Sequence, residues 1–492
     1  MRVLRTPAEA AGWLRARGVA EVHCDSRKVG AGDGFIAWPG AATDGRKFVP
    51  AALQQGAKAC LVENAGSDAY GFGSDAVAAY EGLKAATGPI GALFYGEPSH
   101  ELDVLAVTGT NGKTSTAWWL AQALTNLQPQ SMPCGIIGTL GIGRPPQVEA
   151  TGLTTPDPVL MQRHFRRFLQ EGARACAIEA SSIGIEERRM DGTRIRVASF
   201  TNFTQDHLDY HGSMDAYWAA KEALFSWPGL QAAVLNVDDE KGGLLEQKLQ
   251  GNGLDVWTYS CGRQARLQAL EIGYSEGGLR FVVAEGGERH VLQTKLIGQY
   301  NVSNLLGVVG MMRALGVPLA HAVRACTDLL PVPGRMERLN EAGKPLVAVD
   351  YAHTPDALEK GLQALRPLAQ QRGGQLWCVF GCGGDRDPTK RPLMAAVAEK
   401  NADRVVVTSD NPRSEKPEAI ISQVLLGLSH RDSVEVQADR ARAIAETVRD
   451  AASGDVILVA GKGHEDYQEV AGVKHPFSDQ AHAQAALQAR AA

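Results

Sequence analysis

The chain has 492 residues, 44% hydrophobic and 21% charged, with a formal net charge of -5. At roughly 150 residues per domain there is room for about three domains, each with its own core. This balance excludes a disordered or fibrous chain, and the acidic charge argues against nucleic acid as the main partner. Basic clusters such as residues 163–167, and Arg188 with Arg189, are short and read as solvated helix faces.

Arginines and a glutamate interrupt the opening segment, residues 1–18, so no signal peptide is expected. No apolar run approaches the roughly 20 residues of a membrane span, so no membrane partner is expected either. The eight cysteines are scattered, and Cys378 and Cys382 lack both CxxC spacing and a second pair. Reduced thiols in a cytoplasmic, monomeric protein are the expectation.

Residues 1–98 mix short apolar stretches, at 34–37 and 59–62, with glycine-rich turns, and read as a first domain. A second domain, 99–331, opens with an apolar run over 102–109 that glycine stops, followed by helical spacing over 114–127. Runs at 175–180, 197–203 and 232–237, separated by helix-length segments, continue an α/β pattern. Between 267 and 296 the alternation with glycine turns predicts antiparallel hairpins added to the same sheet. The stretch Pro331-Val332-Pro333-Gly334 marks the next boundary. In the third domain, 332–492, strands are predicted at 345–349, 376–380, 404–408 and 455–460. They end in DYAHT, GCGGDRD, SDNPR and GKGHED. Ligands of an open parallel sheet bind beyond the carboxyl ends of its strands, so these ends outline one site.

Gly109-Thr110-Asn111-Gly112-Lys113-Thr114-Ser115 lies between a predicted strand and helix, where backbone N–H groups cradle phosphates. Lys113 suits the β and γ phosphates of ATP, and the Thr114 hydroxyl suits Mg²⁺. The motif departs from GxxxxGK[ST], because Val107 stands five before Gly112. Glu179 ends an apolar strand and can hold the Mg²⁺ of a nucleotide. Residues 201–211 concentrate carboxylates and histidines at another strand end, with ligation and structural roles both open. A helix over 215–225 carries Tyr217, Trp218, Leu224 and Phe225 on one stripe, and Lys221 falls on it. A lysine there snorkels, finds a partner or loses its proton. The neutral amine could take up CO₂ as a carbamate, whose oxygens suit Mg²⁺.

Taken together and in order, TGTNGKT, EASS, DHLDYHG with its helical lysine, GQYNVSNLLG, PGRME, DYAHTPDAL, GCGGDRD, DNPR and GKGHE resemble the Mur ligase family. The resemblance runs from residue 25 into the C-terminal domain. It implies an α/β fold of three domains: a UDP-substrate domain, a central P-loop-type ATPase sheet with antiparallel hairpins, and a Rossmann-like amino-acid domain. It implies an ATP- and Mg²⁺-dependent ligase of peptidoglycan precursor synthesis. Such an enzyme joins meso-2,6-diaminopimelate to UDP-N-acetylmuramoyl-L-alanyl-D-glutamate through an acyl phosphate, releasing ADP and phosphate.

By the same similarity, Gly109 through Ser115 bind ATP, with Asn301 near its base, and Ser26 contacts the UDP portion. Thr154, Thr155, Ser181 and Arg189 hold the muramoyl dipeptide. Thr114, Glu179, His207 and a carbamylated Lys221 hold metal, and Lys113, Lys221 and His207 are the catalytic group. The turn Asp410-Asn411-Pro412-Arg413 presents a planar guanidinium to the distal carboxylate of diaminopimelate, a fork that a lysine ligand cannot pair. Glu465, with the backbone near Gly461, receives the distal amine, and Arg386 takes the other carboxylate. Where the family often reads S-S-H-G this chain has Ser181-Ser182-Ile183-Gly184, so no role of that histidine transfers. The alternatives are an L-lysine-adding family member, a folylpolyglutamate synthase, and a P-loop switch or motor ATPase that makes no bond.

Overall fold

The computed structural model describes residues 1–40, 43–275 and 278–490. The first sheet is parallel throughout, in the order Arg2–Leu4, Val77–Tyr80, Ala59–Glu63, Gly34–Ala37, Val22–His23. Successive side chains of a strand face opposite ways. Thus Ile36 and Leu61 join one apolar cluster with Leu14 and Leu83, while Phe35 and Cys60 join another with Val49.

The central sheet has eleven strands among the described residues. Its middle is a parallel run: Asp255–Ser260, Ala232–Asn236, Val197–Phe200, Asp103–Thr108, Ala175–Glu179 and Cys134–Gly138. These strands read as continuous apolar runs because both faces are covered. On Asp103–Thr108, Leu105 and Val107 pack with Trp118 and Leu305, whereas Val104 and Ala106 pack with Met161 and Phe165. Antiparallel hairpins extend both edges, although Leu267–Ser275 itself joins Asp255–Ser260 in parallel. The expected set is Leu267–Ser275, Gly278–Glu285 and Glu288–Gln293. The other edge carries Gly141–Arg144 and Gln147–Glu149, which sequence patterning did not predict.

The C-terminal sheet runs Glu337–Leu339, Leu346–Asp350, Val456–Ala460, Leu376–Phe380, Arg404–Val407, Val434–Val436. All its pairs are parallel except the first. The four expected strands are present, with two short edge strands added. The helix expected over 215–225 is α-helical from Met214–Glu222 and tightens to a 3₁₀ turn at Ala223–Ser226. Among the described residues no helix is long and apolar enough to cross a membrane.

Candidate active site

The phosphate loop is fixed before any ligand arrives. Gly109 turns with φ of 145°, and a Cβ there would strike Thr201 Oγ1, so glycine is required. Helix Lys113–Thr125 starts directly after Gly112, leaving first-turn amides free to face an anion. The Asn111 N–H donates to Asn202 Oδ1 at 2.9 Å, and its carbonyl accepts from Thr201 Oγ1 at 2.6 Å. Thr110 Oγ1 donates to the Thr204 carbonyl at 3.1 Å and lies 3.2 Å from the Tyr217 hydroxyl. Ser115 is buried in the first turn of the helix. Asn301, also buried, accepts from Asn304 Nδ2 at 2.9 Å, and Asn304 packs against Gly112.

Two lysines converge on one carbonyl of this loop. Lys113 Nζ donates to the Gly109 and Thr110 carbonyls, each at 2.9 Å, and Lys221 Nζ donates to the Gly109 carbonyl at 2.8 Å. Lys221 does not snorkel: it is 1% exposed, with its amine 4.4 Å from the Tyr217 ring centroid. Burial, then the charge of Lys113, pushes its pKa well below the ordinary lysine value, against a weaker pull from Asp206. Burial also lowers the Lys113 pKa, while Glu179 and Asp206 oppose the shift.

Glu179 is 1% exposed, and its carboxylate accepts from the Thr114 hydroxyl at 2.9 Å, the Thr139 hydroxyl at 3.1 Å and the Thr139 N–H at 2.8 Å. Among the described residues it makes no ion pair. A buried carboxylate with no directly paired cation is costly, and beside the Thr114 hydroxyl it makes a hard oxygen set that fits Mg²⁺. His207 follows at the next strand end with φ of 53°. Burial pushes its pKa down to about 4 despite Asp206, which leaves a neutral imidazole able to ligate. Burial would raise the Asp206 carboxyl, but the nearby His353, with the charges of His207 and Lys390, holds it well below the usual range.

The four residues expected at the muramoyl dipeptide form one cluster that reaches Glu179. Thr154 Oγ1 lies 3.0 Å from Thr139 Oγ1. Thr155 is fully enclosed; its hydroxyl donates to the Glu179 carbonyl at 2.7 Å and lies 3.0 Å from Ser181 Oγ, so it positions Ser181. Arg189 Nη1 donates to the Thr155 carbonyl at 3.0 Å. Beside Ile183, Ser182 Oγ meets His211 Nε2 at 3.0 Å, and His211 Nδ1 lies 3.0 Å from Glu186. Ser26 lines a cleft of about 540 Å³ with Asp25, Arg27, Trp38 and Phe48.

The C-terminal strand ends gather the other set. Arg413 holds the left-handed φ of 51°, rare for a side-chain-bearing residue. Its backbone is clamped by its N–H donating to the Glu469 carbonyl at 3.0 Å and its carbonyl accepting from Ala471 at 2.7 Å. Strain that neighbours over-determine in this way marks functional sites. Arg413 Nη1 donates to the Gly384 carbonyl at 2.7 Å, and Nε stands 3.8 Å from Glu469. Arg386 flanks the same Gly383 position as Arg413 and stays exposed. Pro412 packs its carbonyl against Gly384. A Cβ on Gly461, at φ of 119°, would strike the buried Asp410 carboxylate, and Asn411 Nδ2 donates to Glu465 Oε2 at 2.8 Å. Behind these turns Arg440 makes a bidentate pair with Asp479, both bonds 2.7 Å, and also donates to the Ser409 and Ala460 carbonyls at 3.2 and 2.9 Å.

Contacts tie the two sets together. Arg335 Nη2 donates to Thr114 Oγ1 at 3.2 Å, and Asn111 Nδ2 donates to Asp356 Oδ2 at 2.9 Å. Gln205 Nε2 donates to Asp387 at 3.2 Å and Thr389 at 3.1 Å, and His353 Nε2 stands 3.8 Å from Asp206. The motifs PGRME, DYAHTPDAL and GKGHE are plain in the sequence, yet Arg335, His353, Asp356 and Lys462 have no role in the sequence reading. The available signal was their polar character at a strand end or domain boundary.

Three family models match the chain: the Mur ligase family catalytic domain at residues 19–81, the Mur ligase middle domain at 107–312, and the Mur ligase glutamate ligase domain at 334–463. A UDP-N-acetylmuramoyl-L-alanyl-D-glutamate–2,6-diaminopimelate ligase of Acidovorax sp. (strain JS42) is 60% identical, covering 100% of this chain and 99% of that protein. One of the same name from Janthinobacterium sp. (strain Marseille) is 47% identical over 100% and 99%. A solved structure of that name superposes with a TM-score of 0.65 at 34% identity, covering 96% of this chain and 95% of that one. The chain belongs to the Mur ligase family.

Proposed function

We propose that this protein is the ATP-dependent ligase that adds meso-2,6-diaminopimelate to UDP-N-acetylmuramoyl-L-alanyl-D-glutamate in peptidoglycan precursor synthesis, in the cytoplasm. One observation carries the reading most: the Lys113 loop and the buried Glu179 face, through Arg335 and Asp356, the strand ends that bear Arg413 and Glu465. This arrangement supports a phosphoryl donor bound beside an amino-acid pocket. Full-length relatives bearing the ligase name support it.

A carboxylate condenses with an amine only once its oxygen is a good leaving group. The D-glutamyl carboxylate oxygen attacks the γ phosphorus of ATP, the bond to the β-phosphate oxygen breaks, and ADP leaves an acyl phosphate. The diaminopimelate amine then attacks the carbonyl carbon; the tetrahedral intermediate expels phosphate and the nitrogen loses its proton. The chain's contribution is positioning and charge neutralisation. Lys113 sits over the β and γ phosphates, while Ser181 and Arg189 fix the dipeptide. Thr114, Glu179, His207 and a carbamylated Lys221 would hold Mg²⁺, which supplies positive charge to the phosphoryl oxygens when bound. Arg413 pairs with the distal carboxylate and Glu465 with the distal amine.

The test is phosphate release with each substrate omitted in turn. ADP and phosphate should appear only with both the UDP-muramoyl dipeptide and meso-diaminopimelate. AMP with pyrophosphate, or a preference for L-lysine, overturns the reading. In Arg413→Ala the diaminopimelate Kd should rise about 30-fold or more, because one partner of a buried charge pair is lost. Calorimetry should find ATP binding unchanged; an unaltered diaminopimelate Kd would remove Arg413 from the site.

A further inference from the structure

Lys462 lies inside the strand-end cluster and is 0% exposed. Its Nζ donates to Asn411 Oδ1 at 3.0 Å and to Glu465 Oε2 at 2.9 Å. The Asn411 amide completes a triangle, its Nδ2 donating to the same Glu465 Oε2 at 2.8 Å, and its Oδ1 also accepts from the Glu469 N–H at 2.9 Å. The DNPR turn and the GKGHE loop are therefore joined through one buried ammonium. Both donors use Oε2, and among the described residues Oε1 of Glu465 accepts no hydrogen bond.

From this geometry we propose that Lys462 is a positioning and charge-setting residue of the amino-acid site. It rests on the reading of these strand ends as the diaminopimelate pocket. By occupying Oε2, Lys462 and Asn411 hold the Glu465 carboxylate in one rotamer with Oε1 turned to the incoming distal amine. The ammonium also sets the electrostatic balance. Glu465, Glu469 and Asp410 bring negative charge to the pocket, and Lys462 with Arg413 offsets it. Meso-diaminopimelate carries two carboxylates against two amines, whereas L-lysine carries one net positive charge. A pocket without the Lys462 charge is more negative and less hostile to lysine, so the same residue both orients the amine acceptor and rejects the cationic competitor.

The test is steady-state kinetics on the full chain for Lys462→Met, Glu465→Gln and the double variant, with meso-diaminopimelate, L-lysine and ATP varied in turn. Lys462→Met should raise the KM for diaminopimelate about 30-fold, leave the KM for ATP unchanged and narrow the preference for diaminopimelate over lysine. In the Glu465→Gln background the same change should add no more than about threefold, because Lys462 acts through Glu465. An unchanged diaminopimelate KM, or two effects that simply multiply, overturns the proposal. Should Lys462→Met fail to melt cooperatively, Lys462→Gln keeps a donor for Oε2 without the charge. An unchanged diaminopimelate-to-lysine ratio in that variant overturns it equally. Failure of the underlying assignment is separate, since the parent protein would then prefer another amino acid before any residue is changed.

Discussion

Lys113→Ala is expected to lower kcat by about 10²–10³-fold, the scale of losing one pre-aimed charge that stabilises a transition state. Lys113 Nζ rests on the Gly109 and Thr110 carbonyls at 2.9 Å, so it is already poised over the loop. The cradle itself is held by Thr201, Asn202 and Thr204, none of which depends on that amine. The melting temperature should therefore stay near that of the parent while phosphate release collapses. Turnover within a factor of about three of the parent at saturating ATP would show that Lys113 does not neutralise the transferring phosphoryl group.

Lys221→Ala should be nearly as damaging, with a loss of several kcal/mol, roughly 10³-fold in rate. Two amines on the Gly109 carbonyl are an electrostatic conflict if both are charged. Burial and Lys113 resolve it by favouring the neutral Lys221. That neutral nitrogen can attack the carbon of CO₂; a C–N bond forms, a proton leaves, and the resulting carbamate is negative beside Lys113. Repulsion becomes attraction. Formate or acetate should partly restore Lys221→Ala, and labelled bicarbonate should give a carbamate carbon signal in the parent that the variant lacks. A parent protein with an unmodified ammonium and full activity in bicarbonate would refute the assignment.

What could be read from the sequence was whatever is local. The phosphate loop is a strand, a turn and a helix within one continuous segment, and Lys221 shares its stripe with Tyr217 by helical geometry alone. The parallel strands were legible because burial on both faces makes them uninterrupted apolar runs. The 141–149 hairpin was not, since Gly141, Gly143, Pro145 and Pro146 leave too few side chains to show a two-residue alternation. Val434–Val436 is a short edge strand with exposed positions and carries little hydrophobic signal. Arg335 beside Thr114 joins residues far apart in the chain, and no spacing rule encodes such a meeting. Lys462 was invisible for a related reason: a lysine in a glycine-rich loop reads as solvated until the turn that covers it is known.

The Arg440–Asp479 pair carries a consequence for how the protein is made. Arg440 lies beneath the ends of Arg404–Val407 and Val456–Ala460, and both partners are wholly enclosed, so its direct ion pair forms only when helix Asp479–Ala489 is in place. A buried charge lacking its partner costs roughly 3–5 kcal/mol, a large share of the stability of a domain. During synthesis the central sheet can close while the ribosome is still elongating, since its strands are complete at Gln293. The C-terminal strand ends must wait. They lock only when helix Asp479–Ala489, which follows every strand of that sheet in the chain, delivers Asp479, so the central sheet can mature before the C-terminal strand ends do.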